Sequence, residues 1–142
     1  MASSLPDTKR WRIIMVELVV VVSLGGFIWF FFGGQFIEQL RGDKVVIAEK
    51  RLKLLDSALL EYSRTVGDFP SQNEGLDALV EGPRGQTRWV GPYVDSAALM
   101  DPWGRSFYYV YPGQHGDFDL YSLGADNQLG GVYVNRDIRN WE

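Results

Sequence analysis

The order of apolar and polar positions divides the chain into three stretches. Residues 13–32, IIMVELVVVVSLGGFIWFFF, are nearly all apolar. About twenty residues in a helix rise about 30 Å, the thickness of a bilayer's hydrocarbon layer, so the run predicts a membrane helix. From Val45 the pattern becomes amphipathic. Val45, Ala48, Leu52, Leu55, Leu59, Tyr62 and Val66 recur at alternating spacings of three and four and fall on one helical face. Glu49, Lys50, Lys53, Asp56 and Arg64 occupy the other face. Gly67, with Pro70 beyond it, is a stop signal. The two helical patterns predict one long helix, broken or bent at Gly33-Gly34.

The third stretch changes period again. NEGLDALV, residues 73–80, predicts a short helix, followed by a Gly- and Pro-rich loop through Pro92. SFYYVY at 106–111 and FDLYS at 118–122 read as short strands joined by a turn at Pro112-Gly113. Phe107, Tyr109 and Tyr111 alternate on one side of the first, which makes the aromatic surplus a sheet core. The remainder, from Gly124, is rich in Gly, Asp and Asn.

Charge orients this arrangement. Lys9, Arg10 and Arg12 directly precede the apolar run, which predicts a cytoplasmic N-terminus and an exported C-terminal part. A cleaved secretory signal is the rival reading, but no small-x-small site follows the run. Beyond the run the charge is about −5, which argues against a nucleic-acid partner. The chain has no cysteine, so neither a disulfide nor a thiolate zinc site can staple the small C-terminal core.

Glu17 is the one acid inside the apolar run. An unpaired carboxylate there costs about 3 kcal/mol by insertion scales. It either pairs with a cation on a neighbouring chain or snorkels to the cytoplasmic interface. His115 is the sole histidine, with Ser122 and Asp117 or Asp119 near it in sequence. No nucleophile motif such as G-x-S-x-G surrounds the serine, and no phosphate loop is present, so the pattern points away from an enzyme.

Several motifs together carry a resemblance. They are Asp101-Pro102-Trp103-Gly104, Pro112-Gly113-x-His115-Gly116, Asp119-Leu120-x-Ser122-Leu123-Gly124-Ala125-Asp126, Gly130-Gly131 and Asp137-Ile138-x-Asn140-Trp141. With Phe69-Pro70 and Glu74-Gly75-Leu76-x-Ala78-Leu79, they make the chain resemble the G-type major pseudopilins of bacterial type II secretion systems. The resemblance runs from Glu17 to Trp141. It implies an α+β, type IV pilin-like fold: a long N-terminal helix, half anchor and half amphipathic, packed on a small antiparallel sheet with a C-terminal loop. The implied layout is a cytoplasmic segment 1–12, a membrane helix 13–34 and a periplasmic domain 35–142, in a single-pass inner-membrane protein. The implied partners are other copies of itself, pilin-like subunits, the inner-membrane secretion platform and membrane lipid. The implied role is a structural subunit of a pseudopilus that supports export of folded proteins across the outer membrane.

Two departures from the family pattern matter. Aligning Glu17 with the family's glutamate puts Arg12 where the leader peptide's cleavage glycine belongs, and Gly34 where a proline is usual. The expectation is an intact N-terminus, and with it a second reading: an uncleaved, anchored module that docks in such a machine without polymerising. The other departure lies in the loop where the family binds calcium. Asp126 and Asp137 match its aspartates, and the resemblance implies a calcium site drawn from Asp126, Asp137, Asn135, Leu123 and Ser122. Between the two aspartates stands Val132-Tyr133-Val134-Asn135-Arg136, where related loops are richer in acids. The alternative clasp, should the ion site be lost, is an Arg136–Asp137 salt bridge with packing by the three apolar residues.

Overall fold

The computed structural model describes residues 8–142, with the side chains of residues 8–13, 31–32 and 35–41 outside the description. The Arg12 cleavage-position expectation therefore lies outside the described residues. The chain divides into two units, Met1–Leu40 and Arg41–Glu142.

A single helix, α1, spans Thr8–Val66. One long helix is as expected, and of the two forms expected at Gly33-Gly34, broken or bent, its assignment runs through both glycines without a break. Glycine costs up to about 1 kcal/mol of helix propensity but leaves the i to i−4 hydrogen bonds in place. In the first unit every described side chain from Ile14 to Phe30 is exposed, with Trp29 at 72% and Phe30 at 81%. Among the described residues no helix is long and apolar enough to cross a membrane.

In the second unit the apolar stripe of α1 is the core face. Val45, Ala48, Leu52, Leu55, Leu59 and Tyr62 are buried, and Val66 packs half-buried beside them. Gly67 ends the helix with φ +106°, a conformation closed to most other residues, and donates its N–H to Ser63 O at 2.9 Å. The predicted short helix is a 3-10 turn, Gly75–Leu79, that buries Leu76, Ala78 and Leu79.

Three strands form an antiparallel sheet in the order β1 (Tyr108–Val110), β2 (Asp119–Ser122), β3 (Ile138–Arg139). Tyr109 faces Leu120, and Ser122 faces Ile138. Phe107 and Tyr109, as the alternation predicted, join Phe118, Leu120, Ile138 and the helix stripe in one hydrophobic cluster, with Tyr111 half-buried against it. The first strand is shorter than its apolar pattern, and a side chain occupies part of its outer edge. Gln72 donates from Nε2 to Tyr109 O and accepts at Oε1 from Tyr111 N–H, both at 2.9 Å. The amide thus fills the place of a neighbouring strand.

Candidate functional site

The residues singled out in the sequence fall in two places. Glu17 lies exposed on the helix of the first unit, with no side-chain partner among the described residues. The remainder lie in the second unit: His115 before β2, Ser122 at its end, and Leu123, Asp126, Asn135 and Asp137 in the loop between β2 and β3.

That loop is closed by backbone first. Ala125 N–H donates to Val134 O at 2.9 Å, which brings its two ends together. Gly124, at φ +63°, lies so close to the Asn135 and Arg136 carbonyls that a Cβ would meet them at 2.9 Å or less. Only glycine fits both that conformation and that contact. A 3-10 turn, Tyr133–Asn135, completes the return.

Side chains then hold the closed loop to the domain. Asp101, 3% exposed, is the centre of one group. Its Oδ1 accepts from the N–H groups of Trp103 and Arg105, each at 2.9 Å. Its Oδ2 accepts from Ser122 Oγ at 2.8 Å and from the Arg105 guanidinium at 3.3 Å. The same guanidinium also donates to Gly124 O, so one arginine ties the Asp101 turn to the start of the loop.

Asp137, 5% exposed, is the centre of a second group. Its Oδ2 accepts from Gly130 N–H at 2.9 Å and from the Arg139 guanidinium. Its Oδ1 is buried and has no hydrogen-bond partner among the described residues. Arg139 reaches on to Glu142 at 2.9 Å, and its guanidinium carbon stands 5.7 Å from the centre of the Trp141 ring. The Asp137 and Glu142 carboxylates raise the pKa of the guanidinium, with the Asp137 hydrogen bond the largest influence.

The expected Arg136–Asp137 pair is replaced by this one. Arg136 turns instead to Glu49 on α1. The reason is strand geometry: Asp137 and Arg139, two apart, share a side, whereas neighbours point to opposite sides. That i, i+2 spacing was the available signal for Arg139. The expected packing also differs. Val134 packs against the core, but Val132 and Tyr133 are 69% and 85% exposed.

The proposed calcium ligands differ in readiness. Asp137 Oδ1 is an oriented, buried oxygen without a donor, which suits a cation. Ser122 Oγ is committed to Asp101. Asp126 is exposed and accepts from Gln128 N–H at 3.2 Å. Among the described residues no group of three or more His, Cys, Asp or Glu gathers into a metal cluster. An ion here would therefore rely on backbone carbonyls, such as those of Leu123 and Asn135, and few charges, a combination that gives weak binding.

His115 does not meet Ser122. Its ring Nδ1 lies 2.9 Å from Asp119 Oδ2, and it stacks on Trp141 with ring centres 4.2 Å apart. Burial disfavours the charged form of Asp119, but hydrogen bonds from the His115 ring and from the His115 and Gln114 N–H groups outweigh it and lower its pKa. A carboxylate with a lowered folded-state pKa stabilises the fold at pH above its unfolded value. That contribution is lost as pH falls below about 4 and through the folded-state value. Urea unfolding of Asp119→Asn at pH 7 and pH 3 should thus show a shallower loss on acidification than the native chain. Equal slopes for the two proteins would remove Asp119 from the acid response.

Comparison with known proteins places this arrangement. The family model described as type II secretion system (T2SS), protein G matches residues 35–141. Type II secretion system core protein G of Pseudomonas aeruginosa is 35% identical over 131 residues, covering 90% of this chain and 92% of that protein. The protein of the same description from Xanthomonas campestris is 32% identical over 125 residues, covering 88% and 85%. The crystal structure of the major pseudopilin from the type 2 secretion system of enterohaemorrhagic Escherichia coli superposes with a TM-score of 0.55 at 27% identity, covering 75% of this chain and 91% of that one.

Proposed function

The chain belongs to the type II secretion system protein G family, and from that membership we propose that it is a structural subunit of a pseudopilus, supporting export of folded proteins across the outer membrane. The observation that carries this is the joint match of sequence and fold: the family's region spans 35–141, and within it one face of α1 is buried on a three-stranded sheet. Its exposed positions include Val46, Ile47 and Leu54 at 42–50%, apolar surface available to neighbouring subunits. The docking module that does not polymerise is not favoured, because the chain matches filament subunits along nearly all of their length.

The finer parts of the reading follow from the residues. The apolar helix 13–34 anchors the chain in the inner membrane, with the basic segment before it cytoplasmic and 35–142 periplasmic. Glu17 serves assembly by pairing with a cation of an adjacent subunit. The loop takes a calcium ion at Asp137 Oδ1, with Asp126 and the carbonyls of Leu123 and Asn135 completing the oxygen set. The chemistry supplied is structural: a cation neutralising an otherwise unsatisfied buried oxygen.

Amine-reactive crosslinking in membranes of the secreting host tests the assembly reading, since Lys44, Lys50 and Lys53 are exposed. The native chain should give a ladder of multimers. Glu17→Ala should shorten it several-fold, and Glu17→Gln should do the same if charge is what pairs. A native chain that yields monomer alone would refute the subunit reading. An undiminished ladder in both variants would reduce Glu17 to a snorkelling side chain.

A further inference from the structure

The Asp137 carboxylate is divided between two uses. Oδ2 is saturated by Gly130 N–H and Arg139, while Oδ1, on the same buried side chain, has no donor among the described residues. Arg139 is itself held from three sides, by Asp137, Glu142 and the Trp141 ring. It therefore has no reason to leave when a cation arrives at Oδ1. We infer that Arg139 is a resident counter-cation of this loop, one that keeps Asp137 neutralised when no ion is bound and weakens calcium binding when one is. The inference rests on the calcium reading and adds to it what sets the affinity.

Two physical consequences define the role. First, a unit positive charge sharing a carboxylate with a divalent ion lowers its affinity about tenfold, even under the screening of bulk water. Second, without the ion, the guanidinium still compensates the buried charge, so the loop does not need calcium to stay closed. Arg136, the nearer residue in sequence, takes no part because it is spent on Glu49. Arg139 also lines an open cavity of about 300 Å³ with Leu129 and Trp141, so a shorter side chain there meets solvent and not packed core.

The test is calcium titration of the full chain in detergent, followed by calorimetry and by melting temperature with calcium or with chelator. Arg139→Gln should bind calcium about tenfold more tightly than the native chain, and its melting temperature should depend more strongly on calcium. Arg139→Lys, which keeps the charge, should stay near the native affinity. A variant Arg139→Gln that folds only with calcium present is also the expected behaviour, since the ion then replaces the lost charge. Equal or weaker binding by Arg139→Gln, beside measurable native binding, overturns the inference and leaves the calcium reading standing. So does failure of Arg139→Gln to fold at any calcium concentration. If native chain and Arg139→Gln are both folded and neither binds at millimolar calcium, the calcium reading itself falls and the inference with it.

Discussion

Leu59→Ala should lower the unfolding free energy of the chain by about 3–4 kcal/mol. Leu59 is fully buried, between the equally buried Leu55 and the nearly buried Tyr62 on the core stripe of α1. Truncation removes the transfer energy of the lost methyl groups and leaves a cavity that the surrounding rings cannot fill without leaving their rotamers. The helix itself gains slightly, because alanine is the better helix former, so the loss reports packing and not propensity. Leu60 supplies the control. It is 38% exposed, and Leu60→Ala should cost well under half as much. Urea unfolding followed by circular dichroism measures both. Equal costs for the two would mean the stripe is not the core. In a domain of this size 3 kcal/mol is a large part of the total stability, and a shift of about 12–24 °C in melting temperature should accompany it.

Asp101→Ala should cost about 3 kcal/mol by a different route. Nothing large is removed, but four donors lose their acceptor at once: the N–H groups of Trp103 and Arg105, the Ser122 hydroxyl and the Arg105 guanidinium. Ser122 is 1% exposed, so its hydroxyl has no water to turn to. Arg105 also holds Gly124 O, so the damage should spread to the start of the C-terminal loop. Hydrogen exchange after the substitution should quicken at Ala125, whose N–H closes the loop on Val134 O, before it quickens in β2. Asp101→Asn, which keeps one acceptor oxygen, should fall between the two. Unchanged exchange at Ala125 in Asp101→Ala would show that the loop is held without this group.

The elements governed by period were legible in the sequence. The helix stripe, its end at Gly67, and the alternating Phe107 and Tyr109 each follow from a repeat that burial enforces. β3 was not, because two residues cannot display an alternation; Ile138–Arg139 is a strand only because β2 lies beside it. The loop was half legible. Asp137 stood out through the family resemblance of the loop, but its partner depended on which residues share a side, and that needed the strand. Val132 and Tyr133 were expected inside because they are apolar. The tight return of the chain at Gly124 and Gly131 leaves them outside, with Tyr133 at φ +56°. Asp101 carried no sequence signal of its size, since its four donors come from two segments that only the fold brings together.

Gln72 at the outer edge of β1 bears on how such subunits can live side by side. A filament crowds identical sheets together at densities where a bare strand edge becomes a template, and template-driven strand pairing is a route to fibres that do not come apart. Here the edge groups that a foreign strand would recruit first, Tyr109 O and Tyr111 N–H, are already answered by one amide from within the same subunit. Contact between copies is thereby steered away from backbone zippering and toward side-chain surfaces, which can release as readily as they engage. A subunit that packs beside its own copies is thereby protected from pairing with them irreversibly.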